Sequence, residues 1–192
     1  MINRRIPVLT LGITMVLIGL HLLAPDKTQL YFSAAGIYKG QAWRRISGHL
    51  MQADLQHLVW NCLGLVVLGT LLEYRSRRTL ITSLGAGIIF VNALLLTPFS
   101  HLDYYCGLSG VLNTLLLVAL WVEWKLTRSW LIIVLAFGSI TKALVETSQG
   151  ISLITDISWP PYAWSHLAGL SGGLVVIYIH TRWIQDQDPL TH

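Results

Sequence analysis

The sequence predicts an all-α polytopic membrane protein, and its composition and length support this class. Only 11% of the 192 residues are charged, whereas 54% are hydrophobic and the mean hydropathy is +0.60. Soluble domains carry about 25% charged residues. The composition therefore excludes a disordered chain, a disulfide-rich secreted module and an ordinary cytosolic enzyme. Because one membrane helix takes about 20 residues, six helices with short loops would use nearly the whole chain as one domain.

Six apolar segments are predicted to span the membrane. They cover residues 6–24, 57–74, 80–98, 107–124, 129–147 and 162–183. The first follows Arg4 and Arg5, as the core of a signal peptide would, but no small-x-small cleavage site follows it. We therefore expect an uncleaved helix, followed by a long mixed segment over residues 25–56.

The basic residues predict the orientation of these helices. One set of helix ends carries Arg4, Arg5, Arg75, Arg77, Arg78, Lys125, Arg128 and Arg182. The opposite set carries Lys27, Lys39, Arg44 and Arg45, all in the long first loop. This excess predicts that both termini are cytoplasmic. Topology thus explains the net charge of +4 better than nucleic-acid binding does.

Aromatic residues and cysteines need no catalytic explanation. The aromatic residues flank the predicted spans, as a membrane-interface belt would: Trp121, Trp124, Trp130, Tyr104, Tyr105, Trp159, Tyr162 and Trp164. The two cysteines, Cys62 and Cys106, are too few for a disulfide framework. We expect both to be free thiols.

Polar residues within the spans are the main functional signal. Polar groups are costly in a membrane helix and usually face the bundle interior. With a cytoplasmic N-terminus, the second, fourth and sixth spans all begin at the outer side. His57, Asn61, Ser109 and His166 therefore lie at a similar shallow depth on three different helices. His57 and Asn61 are four residues apart and share one helix face.

Small residues surround the polar ones and predict close helix packing. Gly107 and Gly110 flank Ser109, and the sixth span carries Gly169 and Gly173. Small residues at this spacing let helix backbones approach closely. We therefore expect the fourth and sixth spans to bring the serine within hydrogen-bond distance of the histidine.

Nucleophilic catalysis needs this set of groups. Ser109 could act as nucleophile with His166 as general base. The oxyanion would be held by backbone N–H groups at Leu108 and Ser109 and by the side chains of His57 and Asn61. No carboxylate lies at this level on the second, fourth or sixth span, which favours a dyad over a Ser-His-Asp triad.

Other polar residues have simpler interpretations. Ser171 lies in a second Gly-Leu-Ser-Gly tetrapeptide, but it is deeper on the helix of His166 and is interpreted as a packing residue. Lys142 and Glu146 form an i,i+4 pair near the outer end of the fifth span. Glu73 and Glu123 lie at cytoplasmic helix ends, where we expect pairing with arginines.

Metal or cofactor chemistry is not predicted. Three further histidines, His21, His49 and His101, lie near or in the outer loops. No His-x-x-x-His or Cys-His cluster accompanies them. We therefore expect neither a metal site nor a cofactor.

Four motifs give the chain a resemblance to a known family. They are Trp43-Arg44, His57-x-x-x-Asn61, Gly107-x-Ser109-Gly110 and His166-x-x-Gly169-x-x-x-Gly173. In this order and spacing they resemble the rhomboid intramembrane serine proteases of the minimal six-helix type.

The resemblance implies roles for these residues. It implies that Ser109 is the nucleophile, that His166 is the general base, and that His57, Asn61 and the Ser109 backbone N–H form the oxyanion hole. It also implies that the loop with Trp43-Arg44 is a half-buried structural insertion against the lipid.

Two positions depart from the family pattern. Gln52 stands where many relatives have a histidine, which implies a different hydrogen-bond network in that loop. Asn113 stands where many relatives have an aromatic ring against the catalytic histidine. If Asn113 has the same role, it must orient His166 by a hydrogen bond.

The short length and the Gly-Leu-Ser-Gly-Val-Leu stretch resemble the rhombosortase branch. This resemblance implies a bacterial inner-membrane protease whose site opens to the periplasm and whose partners are single-span membrane proteins and the bilayer. Their sorting tails combine a Gly-Gly motif, one apolar helix and a basic end. Two alternatives stay open: a catalytically silent rhomboid-like protein that binds membrane clients, and a small transporter or channel. The sequence predicts no oligomeric state. The fifth span and the loop after it are gate candidates by family analogy.

Overall fold

The computed structural model describes residues 6–149 and 162–186, with side chains up to residue 182. Within these ranges the chain forms eight α-helices and two short 3-10 turns, with no β-strand. A single antiparallel bridge joins Phe32 to Tyr105. The predictions for Arg4, Arg5, Trp159 and the gate candidate at residues 150–161 lie outside the described residues.

Each predicted span contains one long helix. The helices are α1 (Val8–Leu23), α2 (Ala34–Tyr38), α3 (Arg44–Leu50), α4 (Leu55–Arg75), α5 (Arg77–Leu95), α6 (Ser109–Thr127), α7 (Trp130–Gln149) and α8 (Trp164–Asp186). Their ends differ from the predicted bounds by a few residues. The short helices α2 and α3 fold from the mixed first loop, for which no regular element was predicted.

The apolar helices support a multi-pass membrane protein. Among the described residues, α4, α5, α6 and α7 are long and apolar enough to cross a bilayer. Helix α1 is apolar but has 16 residues, which is short for a crossing. The all-helical class is therefore confirmed, and the full count of six crossings stays a prediction.

Capping residues fix both ends of α4, the helix that carries His57 and Asn61. The Asp54 side chain accepts a hydrogen bond from the His57 backbone N–H at 2.7 Å and caps α4. At its other end α4 stops at Ser76, whose side chain caps α5 through the Thr79 N–H at 3.2 Å. His57 thus lies in the first turn of α4, and the chain reverses within one residue at the opposite end.

Helices α6 and α8 are held together by direct backbone contact. A Cβ atom added to Gly169 would lie 1.9 Å from the carbonyl oxygen of Gly110. The hydroxyl of Thr114 donates to the Gly169 carbonyl at 2.6 Å across the same interface. The predicted small-residue contact between these two helices is present, and only glycine fits at position 169.

Helix α7 packs loosely on this pair. Of its 20 residues only Ala143 and Glu146 are buried. Ala143 packs against Leu117 of α6 and Leu170 of α8. The position of α7 therefore depends on a narrow strip of contacts that includes a buried carboxylate.

The first loop is held by a buried arginine. The Arg44 guanidinium donates to the carbonyl oxygens of Thr28 at 2.8 Å and Tyr31 at 2.7 Å. Ser47 donates to the Leu30 carbonyl at 2.7 Å. Trp43 is 53% exposed. These contacts support the half-buried insertion that the resemblance implied, with the arginine inside and the tryptophan outside.

The opposite end of the bundle holds the predicted ion pairs. Arg77 lies 3.3 Å from Glu73, and Arg75 lies 3.0 Å from Glu123. The Glu73 carboxylate also accepts from the backbone N–H groups of Leu9 at 3.1 Å and Thr10 at 2.9 Å. It therefore satisfies the free N–H groups at the start of α1 and ties that helix to α4.

Candidate active site

Ser109 and His166 meet at the adjacent N-terminal ends of α6 and α8. Ser109 is the first residue of α6, and His166 is the third residue of α8. His166 Nε2 lies 3.2 Å from the Ser109 Oγ. This distance is at the outer limit for transfer of the hydroxyl proton to the imidazole. Both side chains are partly buried, so the pair lies inside the bundle but is not sealed from its surroundings.

A carboxylate contacts the second ring nitrogen of His166. His166 Nδ1 lies 3.2 Å from Oε2 of Glu146, a residue of the last turns of α7. The second oxygen of Glu146 accepts from the Lys142 ammonium at 2.7 Å. The i,i+4 pair on this helix was predicted, but its contact with His166 was not. The carboxylate that the second, fourth and sixth spans lack comes from the fifth.

His57 lies against the turn that precedes Ser109. Gly107 has φ +124°, and a Cβ atom there would lie 2.8 Å from His57 Nε2. The Ala53 backbone N–H donates to His57 Nδ1 at 3.4 Å. An accepting Nδ1 places the ring proton on Nε2, as inferred from the hydrogen-bond network. His57 therefore presents an N–H donor on its Gly107 side, and glycine at 107 makes room for it.

Asn61 is oriented by Gln52. The Asn61 amide nitrogen donates a short hydrogen bond to the Gln52 side-chain oxygen, and both residues are buried. The amide nitrogen carries two protons, so one N–H stays available for another acceptor. The different hydrogen-bond network expected at Gln52 is therefore present, and in it Gln52 orients the Asn61 side chain directly.

Backbone donors are available beside Ser109. Leu108 is the residue before α6, and its carbonyl accepts from the Leu112 N–H at 2.9 Å. The N–H groups of the first turn have no carbonyl four residues earlier within the helix, and they carry the positive end of the helix dipole. The predicted backbone contribution to an oxyanion hole is compatible with this geometry.

Tyr105 and His49 form the buried wall behind the turn. Their rings meet edge to face with centroids 5.8 Å apart. The Tyr105 hydroxyl donates to the Gly107 carbonyl at 3.1 Å, which fixes that turn. Burial raises the pKa of Tyr105 to about 12 and lowers the pKa of His49 to about 4. The prediction that Tyr105 belongs to the aromatic belt is wrong, because its side chain is buried in a cluster with Phe32 of the first loop and Val91 and Leu95 of α5.

Two other polar residues do not join this cluster. Asn113 donates to the Ser109 carbonyl at 2.9 Å and makes no hydrogen bond to His166 in the described part of the chain. The orienting bond that its position suggested is therefore made by Glu146. Ser171 is exposed and donates to the Leu167 carbonyl at 3.0 Å. Its interpretation as a packing residue is therefore wrong, because an exposed side chain is not enclosed by neighbouring helices.

Within residues 6–149 and 162–182, no group of three or more His, Cys, Asp or Glu side chains is arranged to hold a metal. Cys62 and Cys106 are free thiols, as predicted. Gly173 packs on Leu117, one turn beyond the contact of Gly169 with Gly110.

Comparison with known families supports the arrangement of the motifs. No curated protein matches the chain. A family model described as the Rhomboid domain matches residues 39–183, which is about three quarters of the 192 residues. All four motifs fall inside the matched segment. The chain therefore belongs to the rhomboid family, whose members are generally intramembrane serine proteases.

Proposed function

We propose that the protein is an intramembrane serine endopeptidase that uses Ser109 and His166 to cleave single-span membrane proteins. The distance of 3.2 Å between Ser109 Oγ and His166 Nε2 is the observation that carries this proposal. A serine hydroxyl is a weak nucleophile until an adjacent base takes its proton. The match to the Rhomboid domain supports the same reaction class.

The acylation step uses the groups around Ser109. Its Oγ attacks the scissile carbonyl carbon while the hydroxyl proton moves to His166 Nε2. The carbonyl π electrons move to the oxygen, and the oxyanion accepts hydrogen bonds from His57 Nε2, Asn61 Nδ2 and the Ser109 backbone N–H. When the tetrahedral intermediate collapses, the C–N bond breaks and the leaving nitrogen takes the proton from Nε2. The product is an ester on Ser109.

Deacylation reverses the same transfers. A water molecule attacks the ester carbonyl carbon and gives one proton to His166 Nε2. The C–O bond to Ser109 then breaks, and the departing Oγ takes that proton back. The enzyme returns to its starting state with one peptide bond hydrolysed, without a metal or cofactor in any step.

The proposed substrates are envelope or secreted proteins with a C-terminal sorting tail. A formed helix hides its carbonyl groups, so a small-residue motif at the membrane boundary would let the chain extend to Ser109. We propose a Gly-Gly motif followed by one apolar helix and a basic end. The protein would lie in a bacterial inner membrane with six crossings and cytoplasmic termini, and its site would open to the periplasm.

Cleavage of a reconstituted reporter tests the proposal. Proteoliposomes would contain the protein and a single-span reporter with the Gly-Gly tail, beside a matched reporter in which Leu-Leu replaces Gly-Gly. We expect cleavage of the first reporter only. Ser109→Ala and His166→Ala should each abolish cleavage, while Ser171→Ala should leave it largely intact.

The cleavage results test the protease activity and the specificity for the sorting tail separately. Equal cleavage by wild type and Ser109→Ala would contradict the protease assignment. Binding of the reporter without any cleavage by wild type would favour a silent client-binding protein. Equal cleavage of both reporters would retain the protease and overturn the sorting-tail specificity.

A further inference from the structure

We propose that Glu146 is a positioning residue that completes a Ser-His-Glu triad by holding His166. This inference rests on the proposed protease function, which in turn requires only Ser109 and His166. The observation is that the two ring nitrogens of His166 contact two different groups. Nδ1 lies 3.2 Å from the Glu146 carboxylate and Nε2 lies 3.2 Å from the Ser109 hydroxyl.

The arrangement selects one tautomer of the imidazole. An ionised carboxylate only accepts hydrogen bonds, so the nitrogen that faces Glu146 carries the proton. Nε2 is then unprotonated and directed at the Ser109 hydroxyl, which is the form that a general base needs. Without the carboxylate, the ring could rotate or carry its proton on the nitrogen that faces the serine.

Burial indicates that Glu146 has a task beyond pairing with Lys142. The Glu146 side chain is 1% exposed, whereas that of Lys142 is 35% exposed. An i,i+4 ion pair forms equally well on an exposed helix face and does not require burial of the carboxylate. Burying a carboxylate is costly unless it gains several charged or polar partners. The buried carboxylate of Glu146 contacts the imidazole of His166 on the neighbouring helix, where little water screens the interaction between them.

The carboxylate acts without exchanging a proton. When the Ser109 proton moves to Nε2, the imidazole becomes a cation whose Nδ1–H still points at Glu146. The negative charge stabilises that cation, and the proton later leaves from Nε2 to the departing nitrogen. Among the described residues, Lys142 and His57 are titratable groups near this pair, and Lys142 binds the Glu146 oxygen that does not contact His166.

Labelling kinetics with a fluorophosphonate probe test this role in the full-length protein. The probe reports activation of the serine and needs no knowledge of the physiological substrate. Glu146→Gln should lower the labelling rate constant about 100-fold without changing the half-saturating probe concentration. Glu146→Asp keeps the charge and should restore part of the rate.

Lys142→Met is the matched control. It removes the other partner of Glu146 on the same helix but leaves the contact with His166. The contact between Glu146 Oε2 and His166 Nδ1 is retained, so we expect a labelling rate within about fivefold of wild type, although loss of one partner of a buried carboxylate lowers stability. Losses as large for Lys142→Met as for Glu146→Gln would show that the pair only anchors α7 and would overturn the proposal.

A double variant distinguishes positioning from a general structural effect. If Glu146 acts through His166, then adding Glu146→Gln to His166→Ala should change the slow residual labelling by less than about twofold. A further large loss in the double variant would overturn the proposal. If wild type is not labelled at all, the protease assignment itself fails. Labelling of wild type and Glu146→Gln at equal rates contradicts only the role of Glu146.

Discussion

Single residues of the site are supported by neighbours that are themselves buried and specific. Asn61 is the clearest case, because its amide is held by a side chain from a different segment of the chain. Gln52 is fully buried and occupies a position where the family pattern often has another residue. We therefore expect Gln52 to affect catalysis by orienting the Asn61 side chain.

Replacing Gln52 with leucine tests this support. The Gln52→Leu variant leaves the Asn61 amide without its acceptor, so its N–H is no longer fixed towards the proposed oxyanion. We expect the cleavage rate to fall about tenfold, with an unchanged KM. The double variant with Asn61→Ala should be no slower than Asn61→Ala alone. Additive losses in steady-state rates would contradict support through Asn61.

His49 predicts how stability depends on pH. It lies on α3, outside the spanning helices, and burial lowers its pKa from the usual value of 6.5 to about 4. Between these values the unfolded chain binds a proton that the folded protein does not, so stability falls as the pH decreases. The loss attributable to His49 is about 3 kcal/mol between pH 6.5 and pH 4.

His49→Phe is the matched variant for this prediction. It keeps a ring against Tyr105 and removes the titrating group. Thermal unfolding midpoints in detergent, measured at pH 7.5 and pH 4.5, should show a smaller acid-induced decrease for His49→Phe than for wild type. An identical decrease in both proteins would contradict the role of His49.

At the scale of helices, the contact of α6 with α8 sets the distance between Ser109 and His166. Gly169→Ala would place a methyl carbon 1.9 Å from the carbonyl oxygen of Gly110, which is far too close for a contact between these atoms. The two helices must separate, and a displacement of about 1 Å can cost about 100-fold in rate. We expect fluorophosphonate labelling to decrease at least tenfold.

Gly85→Ala is the control for this helix contact. Gly85 lies on α5 and has no atom within 4 Å of an added Cβ. Alanine there should leave labelling unchanged and raise stability by about 0.4–1 kcal/mol. Equal labelling losses in both glycine variants would show that the α6–α8 contact has no special role.

The helices and the close approach of Ser109 to His166 in the candidate site were predictable from the sequence, because apolar length and the direction of each span indicate the depth of each residue. Ser109 and His166 were placed at one level by that argument alone. Glu146 could have been found in the same way. The fifth span runs in the opposite direction, so its C-terminal end reaches the level at which the even-numbered spans begin. The prediction considered only the even-numbered spans and therefore missed the carboxylate.

Contacts of the first loop could not be predicted from the sequence. Gln52 meets Asn61, Phe32 pairs with Tyr105, and Arg44 binds the Tyr31 carbonyl within the same loop. Such contacts depend on tertiary packing between segments that have no periodic signal. Tyr105 was placed in the aromatic belt for the same reason.

For the whole molecule, the charge distribution predicts which end would face the periplasm in the proposed bacterial inner membrane. The site and the first loop lie at one end of the bundle, and the arginine–glutamate pairs lie at the other. Tyr38→Cys and Leu126→Cys place exposed thiols at these two ends, because the native side chains are 75% and 57% exposed. We expect a membrane-impermeant maleimide to label only Tyr38→Cys in intact spheroplasts and both variants after lysis.

Wild type is the control for this labelling, since its thiols are buried or partly buried. Labelling of Leu126→Cys but not Tyr38→Cys in intact spheroplasts would show the reverse orientation. The site would then open to the cytoplasm, and a sorting function at the periplasmic face would be contradicted.

The proposed function requires that Ser109 is a nucleophile activated within the membrane bundle. The most direct measurement is identification, by peptide mass spectrometry, of the residue modified by a fluorophosphonate in the purified protein. We predict a single adduct on Ser109, present in Ser171→Ala and lost in Ser109→Ala. An unmodified Ser109 in wild type, or an adduct on Ser171 instead, would contradict the claim.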